Sequence, residues 1–329
     1  MTQVAHGSLG PIGYGLMGLT WRPNPVPVSQ AIEAMKQALD SGANLWNGGE
    51  FYGTPEYNSM TLLNKYFTEY PEDADKVTLV IKGGVDTKTL VPDGSPEFIR
   101  KSVDNILAQL GGKKKLDVFG LARRDKMVPL ATTLRVLQEE YVDTGKIGGI
   151  ALSECSAETI HEATKTCKIA MAEVELSMFS QDTLQNGVAA ACAQHDILLM
   201  AYSPIGRGIL TGRFRSAEDA KHLGMVGSLP RFQDDAMAHN LKLVDQIQAV
   251  ADKKGCTPAQ LALAWVRSIG KKEGMPLIIP IPGSTTASRV KENSTVVELD
   301  GADLQEIEKL LANFEVKGGR YPPGVPTTI

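Results

Sequence analysis

Short apolar runs recur along the chain at 12–16, 43–46, 77–81, 116–121, 148–152, 172–175, 197–201 and 277–279. Each is strand-length and apolar on both faces, the pattern of a parallel strand covered on both sides. Between them, apolar residues recur at i, i+3, i+4 and i+7, the period of an amphipathic helix. In SQAIEAMKQALDSG, Ser29 reads as the N-cap and Gly42 as the stop. In SPEFIRKSVDNILAQLGG, Ser95 caps, Pro96 takes the first helical position and Gly111 ends the helix. SAETIHEATKTC opens at Ser156 and Thr159, and CTPAQLALAWVRSIG starts on Thr-Pro.

A length of 329 residues would accommodate two domains. No Pro/Ser-rich linker divides the chain, however, and the stretch from 202 to 276 is its one large insertion. Eight strand–helix units without a break predict an α/β fold: a single (β/α)8 TIM barrel over 1–329. It carries a long loop after strand 7 and a C-terminal tail, about 316–329, over the barrel mouth. Chemistry is then expected at the C-terminal ends of the strands. Those ends hold Trp21, residues 47–52, Lys82, 122–125, 153–154, 173–177, 202–208 and 280–293.

Composition narrows the partners. Net charge is −4, and the one basic run is Lys113-Lys114-Lys115, too little to hold nucleic acid or an acidic membrane. No apolar run approaches the roughly 18 residues of a membrane span, and the start has no basic-then-apolar leader pattern. Cys155, Cys167, Cys192 and Cys256 are spread out, with no spacing for a metal or a disulfide framework. A cytoplasmic, metal-free monomer acting on a small molecule is the expectation. Residues 13–18 read GYGLMG, formally a dinucleotide fingerprint. That reading needs a helix to follow, and Pro23, Pro25 and Pro27 stand against one. The glycines are expected to ease the turn out of the first strand.

Asn47, Glu50 and Tyr52 follow the second strand, with Gly48-Gly49 expected to permit a tight turn, and Lys82 ends the third. A lysine at the end of a buried strand either snorkels to water or sits charged beside a partner. A tyrosine on the adjacent strand end changes the picture. A phenol keeps its proton to about pH 10, and a neighbouring ammonium lowers that value toward neutrality. The pair could protonate the oxyanion that forms on an aldehyde as hydride arrives. After the eighth strand, the hydroxyls and amides that open a helix near 286–289 form an anion site, and Arg289 suits a phosphate.

Tyr52 in EFYG, Lys82, ALSE after the fifth strand, EVELSMFSQD, AYSPIGRGILTGRF and IPIPGSTTASRVKEN together resemble the aldo-keto reductases over 13–314. That resemblance implies NADPH-dependent carbonyl reduction on a (β/α)8 barrel, with Tyr52 as general acid and Lys82 as its partner. Two departures stand out. Asn47 occupies the place of the family's usual Asp, so the charge that tunes Lys82 must be redistributed. Ala122 occupies the place of the usual His, and Arg123 is assigned as the replacement donor. WNGGEFYG, the Ala-Arg pair and KGGRYPPG resemble the fungal pyridoxal reductases within that family. They imply reduction of pyridoxal to pyridoxine, with Arg123 recognising the phenol oxygen and Trp21, Phe51 and Tyr321 forming an aromatic slot.

The resemblance also places the cofactor. Ser284 and Arg289 meet the 2′-phosphate, with Gly283 where some members carry a lysine; Glu292 and Asn293 meet the adenine. Tyr202 stacks on the nicotinamide, while Ser203, Pro204, Gly206, Arg207 and Gly208 fold over the pyrophosphate. Ser153 and Glu173 grip the carboxamide, although Glu154 and Glu173 replace the usual Asn and Gln. The segment 213–232 is expected to be a mobile lid. Two other readings remain open: a reductase of other aryl or aliphatic aldehydes, and a non-enzymatic NADPH-binding regulatory subunit of the same fold.

Overall fold

The computed structural model describes residues 9–322. Strands β1 (Tyr14–Gly15), β2 (Leu45–Gly49), β3 (Thr78–Gly83), β4 (Leu116–Leu121), β5 (Ile147–Ser153), β6 (Met171–Glu175), β7 (Leu198–Tyr202) and β8 (Ile278–Pro280) pair in parallel, in sequential order. The Gly13 N–H donates to the Pro280 carbonyl (2.9 Å) and the Gly15 N–H to that of Pro282 (3.1 Å), joining β1 to the end of β8. This is the expected (β/α)8 architecture. Its interior is filled by Leu45, Val80, Val118, Met171, Leu198 and Ile279, and a second, larger apolar layer lies between sheet and helices.

The glycines of GYGLMG serve that seam. A Cβ on Gly13 would fall 2.6 Å from the Leu45 carbonyl oxygen, and one on Gly15 would fall 2.9 Å from that of Ile281. A single helical turn, Met17–Thr20, does follow, but the chain leaves it before the prolines. Helix starts agree with the capping signals except one. Ser95 accepts from Phe98 N–H, Ser156 from Thr159 N–H, and Thr257 forms a capping box with Gln260. Ser29, however, lies inside the helix Val28–Asp40, whose N-cap is Pro27.

The strands run further than the apolar runs indicate, so Asn47, Lys82, Ser153 and Tyr202 are strand residues held by the ladder. Gly48 and Gly49 lie in extended β2 and supply room; the turn opens at Gly49, whose carbonyl accepts from the Tyr52 N–H (3.1 Å). A Cβ on Gly49 would sit 3.1 Å from the Tyr52 ring. The insertion after β7 carries short helical turns and then the helices Asp234–Lys254 and Pro258–Ile269. Leu229 and Phe232 are buried, which anchors the segment expected to be a lid. Near its end the chain returns to the strand ends: Lys317 N–H donates to Asn240 Oδ1 (2.9 Å), and Arg231 Nε donates to the Gly318 carbonyl (3.1 Å). The rest of the expected tail, 323–329, lies outside the described residues. Among the described residues, no helix is long and apolar enough to cross a membrane.

Candidate active site

Three strands that are not all neighbours supply the central cluster. Lys82 on β3 is buried, and its Nζ donates to Asn47 Oδ1 on β2 (2.7 Å) and to Glu173 Oε2 on β6 (2.8 Å). Asn47 Nδ2 donates to the same Glu173 oxygen (2.7 Å), closing a triangle. Gly120 on β4 leaves the space for the lysine stem: a Cβ there would lie 3.2 Å from Lys82 Cγ. Burial by itself would pull the Lys82 pKa down; the Glu173 carboxylate and the Tyr52 phenol outweigh it and hold the ammonium above its ordinary value.

Tyr52 lies beside this triangle, with Lys82 Nζ 5.0 Å from its ring centroid. Its backbone carbonyl accepts from the Thr20 hydroxyl (2.8 Å), tying the loop after β2 to the turn after β1. Trp21 stacks on the Tyr52 ring at 5.1 Å and 20°, and Phe51 meets both edge-on. The ammonium does favour the phenolate, as expected from sequence, but the net direction is the opposite one. Burial, aided by the Glu173 charge, raises the Tyr52 pKa above the ordinary phenol value. Tyr52 therefore holds its proton firmly at neutral pH, as a proton donor must before transfer. Glu50 is not part of the cluster. It turns to the helix Pro96–Leu110, accepting from Ser102 Oγ (2.5 Å) and Asn105 Nδ2 (2.7 Å).

A second polar cluster joins the ends of β5, β6 and β7. Glu154 Oε1 accepts from the Tyr202 hydroxyl (2.9 Å), and both Glu154 oxygens accept from Arg320 (3.2 and 3.1 Å). Burial would raise the Glu154 pKa, but Arg320 and Tyr202 outweigh it and hold the carboxyl below its usual range. Glu175 receives Arg207 (3.1 Å), whose guanidinium covers the Tyr321 ring at 4.7 Å. The Tyr321 hydroxyl meets that of Tyr202 (3.1 Å), and no ring contact joins it to Trp21 or Phe51 among the described residues. Arg207, expected to fold over a pyrophosphate, is engaged by the Glu175 carboxylate. The bend that carries it is strained: Ser203, Arg207, Gly206 and Gly208 all have positive φ, with Pro204 between them.

Glu175, Arg231 and Arg320 were not foreseen. The sequence did hold a signal: in the strand MAEVE, Glu173 and Glu175 stand two apart and so face the same way. Two inward acids on a buried strand require cations from elsewhere in the chain. Glu173, expected to grip a carboxamide beside Ser153, is held through Oε2 by Lys82 and Asn47.

Arg123, after β4, is half-buried, donates to the Ala122 carbonyl (2.6 Å) and makes no ion pair among the described residues. Its neighbour Arg124 pairs with Glu162 (2.8 Å) instead. At the end of β8, the Ser284 carbonyl accepts from Tyr14 OH (2.6 Å) and its Oγ from Asn293 Nδ2 (2.8 Å), while Gly283 bridges to Gly15. Thr286, the N-cap of the helix Ala287–Ser294, makes no side-chain capping bond, which leaves the helix start open to an anion. Arg289 is exposed on that first turn; partial burial and the like charge of Arg213 hold its pKa below the usual value. Glu292 sits on the same helix, its carbonyl taken by Gln260. The four cysteines carry no bonds to one another, and burial pushes Cys167 up to about 11, so no thiolate is available near neutrality.

A buried tyrosine beside a buried lysine at the C-terminal end of a (β/α)8 barrel is suited to carbonyl reduction. The aldo/keto reductase family model matches residues 11–312, and the chain belongs to that family. It is 43% identical over 328 residues to a Schizosaccharomyces pombe protein named "Probable pyridoxal reductase 2", covering 98% of this chain and 97% of that one. It is 31% identical to the Schizosaccharomyces pombe aldo-keto reductase yakc, whose name carries NADP(+), over 99% of this chain and 96% of that one. A glycerol dehydrogenase from Gluconobacter oxydans superposes with a TM-score of 0.80 at 21% identity, over 94% of each chain. The protein is thus an oxidoreductase of small carbonyl compounds.

Proposed function

We propose that the chain reduces the aldehyde of pyridoxal to the alcohol of pyridoxine, with NADPH as hydride source and Tyr52 as proton source. The observation that carries this reading is the buried Tyr52–Lys82 pair beneath the Trp21–Phe51 face. Bound NADPH supplies the hydride to the aldehyde carbon. Tyr52 gives its proton to the carbonyl oxygen, and the Lys82 ammonium beside the ring stabilises the phenolate left behind. Trp21 and Phe51 offer aromatic surface to the pyridine ring. Arg123, which makes no ion pair among the described residues, is assigned to the ring's phenol oxygen. Arg289 and the uncapped helix start beside Ser284 fit the 2′-phosphate, and the likeness to a relative named for NADP(+) supports the same cofactor. Asn293 and Glu292 are assigned to the adenine, Ser153 to the carboxamide and Tyr202 to the nicotinamide face.

The test is NADPH oxidation with pyridoxal against a panel of aryl and aliphatic aldehydes, with NADH as comparison. Pyridoxal is expected to give the highest kcat/KM; a simple aliphatic aldehyde that outruns it refutes the substrate assignment. Tyr52→Phe is expected to bind NADPH yet lose turnover, and retained turnover refutes Tyr52 as the acid.

A further inference from the structure

We infer that the charge compensating Lys82 has moved across the barrel: Glu173 on β6 is its counter-ion, and Asn47 is a positioning residue that locks that carboxylate in place. The inference rests on Tyr52 as the proton donor proposed above, and it assigns Glu173 to the proton chemistry.

The argument is one of donors and acceptors. Lys82 and Glu173 are almost fully enclosed, with side chains 4% and 6% exposed. Lys82 Nζ donates to two acceptors on the barrel strands, the Asn47 amide oxygen and the Glu173 carboxylate, and only the second carries charge. Because Asn47 Oδ1 faces the ammonium, its Nδ2 must face Glu173 Oε2, and it does so at 2.7 Å. The triangle therefore closes fully in one form: an amide at position 47 and a carboxylate at 173, whose Oε2 accepts from both donors. Two carboxylates would set oxygen against oxygen at that contact; two amides would leave the buried ammonium without an anion. Both bonds to Glu173 fall on Oε2, and Oε1 accepts none among the described residues. The titratable groups that act on Tyr52 are Lys82 from β3, Glu173 from β6 and Tyr321 from the C-terminal segment; those on Lys82 are Glu173 and Tyr52.

The arrangement predicts a swap. Glu173→Gln keeps the shape and removes the charge, so the Lys82–Tyr52 pair gains a net positive charge and gives up its first proton more easily. The alkaline limb of the kcat profile with NADPH and pyridoxal should move toward acid by about one to three pH units. Asn47→Asp/Glu173→Gln returns one negative charge beside Lys82 from β2 without rebuilding the triangle, and should bring the limb back toward its wild-type position. The same order should hold without cofactor or substrate. In the apoprotein, tyrosinate absorbance and the 13Cε resonance of Lys82, assigned with Tyr52→Phe and Lys82→Met, should report earlier proton release in Glu173→Gln and recovery in the double variant. A limb and titration unmoved by Glu173→Gln overturn the inference, as does a shift the double variant fails to reverse. A wild-type protein inactive on every aldehyde, or an active Tyr52→Phe, refutes the proposed reduction instead, and the apoprotein titration still decides the role of Glu173.

Discussion

Removing Lys82 alone should be costly, and removing it together with Glu173 should not be. The two charges sit 2.8 Å apart with side chains 4% and 6% exposed, so water screens them little. At an effective dielectric near 20, their direct attraction is about 6 kcal/mol. Part of that offsets the desolvation of both groups, and breaking such a pair from one side costs about 3–5 kcal/mol. Asn47 still donates to Glu173 in the Lys82→Met variant, which places the expected loss near 3 kcal/mol, more than a hundredfold in the folding equilibrium. Lys82→Met/Glu173→Gln leaves no orphan charge and should recover most of that loss. Urea unfolding at pH 8 and pH 5 separates charge from packing. In Lys82→Met the enclosed Glu173 carboxylate has lost its cation, and taking up a proton on acidification removes that buried unpaired charge. The deficit of the single variant should therefore be larger at pH 8 than at pH 5. A Lys82→Met protein within 1 kcal/mol of wild type at pH 8, or a deficit indifferent to pH, refutes the reasoning.

Arg123→Ala should lower kcat/KM for pyridoxal by about ten- to a hundredfold, the worth of one hydrogen bond to a charged group, and an unchanged value removes Arg123 from the site. Gly49→Ala should lower kcat severalfold with little effect on the unfolding midpoint, because a Cβ 3.1 Å from the Tyr52 ring displaces the donor rather than the core; unchanged kcat counts against the close contact. Asp73 is buried, bonded to Lys76 (2.8 Å), Tyr66 OH (2.8 Å) and Lys36 (3.2 Å). Burial opposes its charge, but these partners outweigh burial and hold its pKa below the usual value. Its stabilisation is thus present above about pH 4 and lost as pH falls through the lowered value. Asp73→Asn should be less stable at pH 7 and lose less on acidification, measured by thermal unfolding at both pH values; parallel losses contradict the assignment.

The eight strands were legible because a parallel strand needs only a local apolar run and a helix a local period, and both are written in consecutive residues. Tyr52, Lys82 and the turn near Arg289 were legible as candidates for a related reason: each stands at or just beyond the end of a strand. Strand ends were less so. The apolar run stops at Trp46 and Ile81, but hydrogen bonding carries β2 through Asn47 and β3 through Lys82.

What consecutive residues could not reveal is which charge meets which. Asn47, Lys82 and Glu173 come from β2, β3 and β6, and nothing local distinguishes Glu173 from Glu175 two residues later. Barrel closure brings β6 opposite β3, so that Glu173 receives Lys82, while Glu154 and Glu175 receive Arg320 and Arg207. The sequence by itself determined the barrel and marked Tyr52 and Lys82 as its candidate pair. Only the tertiary structure decided where the compensating charge lies, because a buried ion pair is satisfied through space, between residues the chain keeps 91 positions apart.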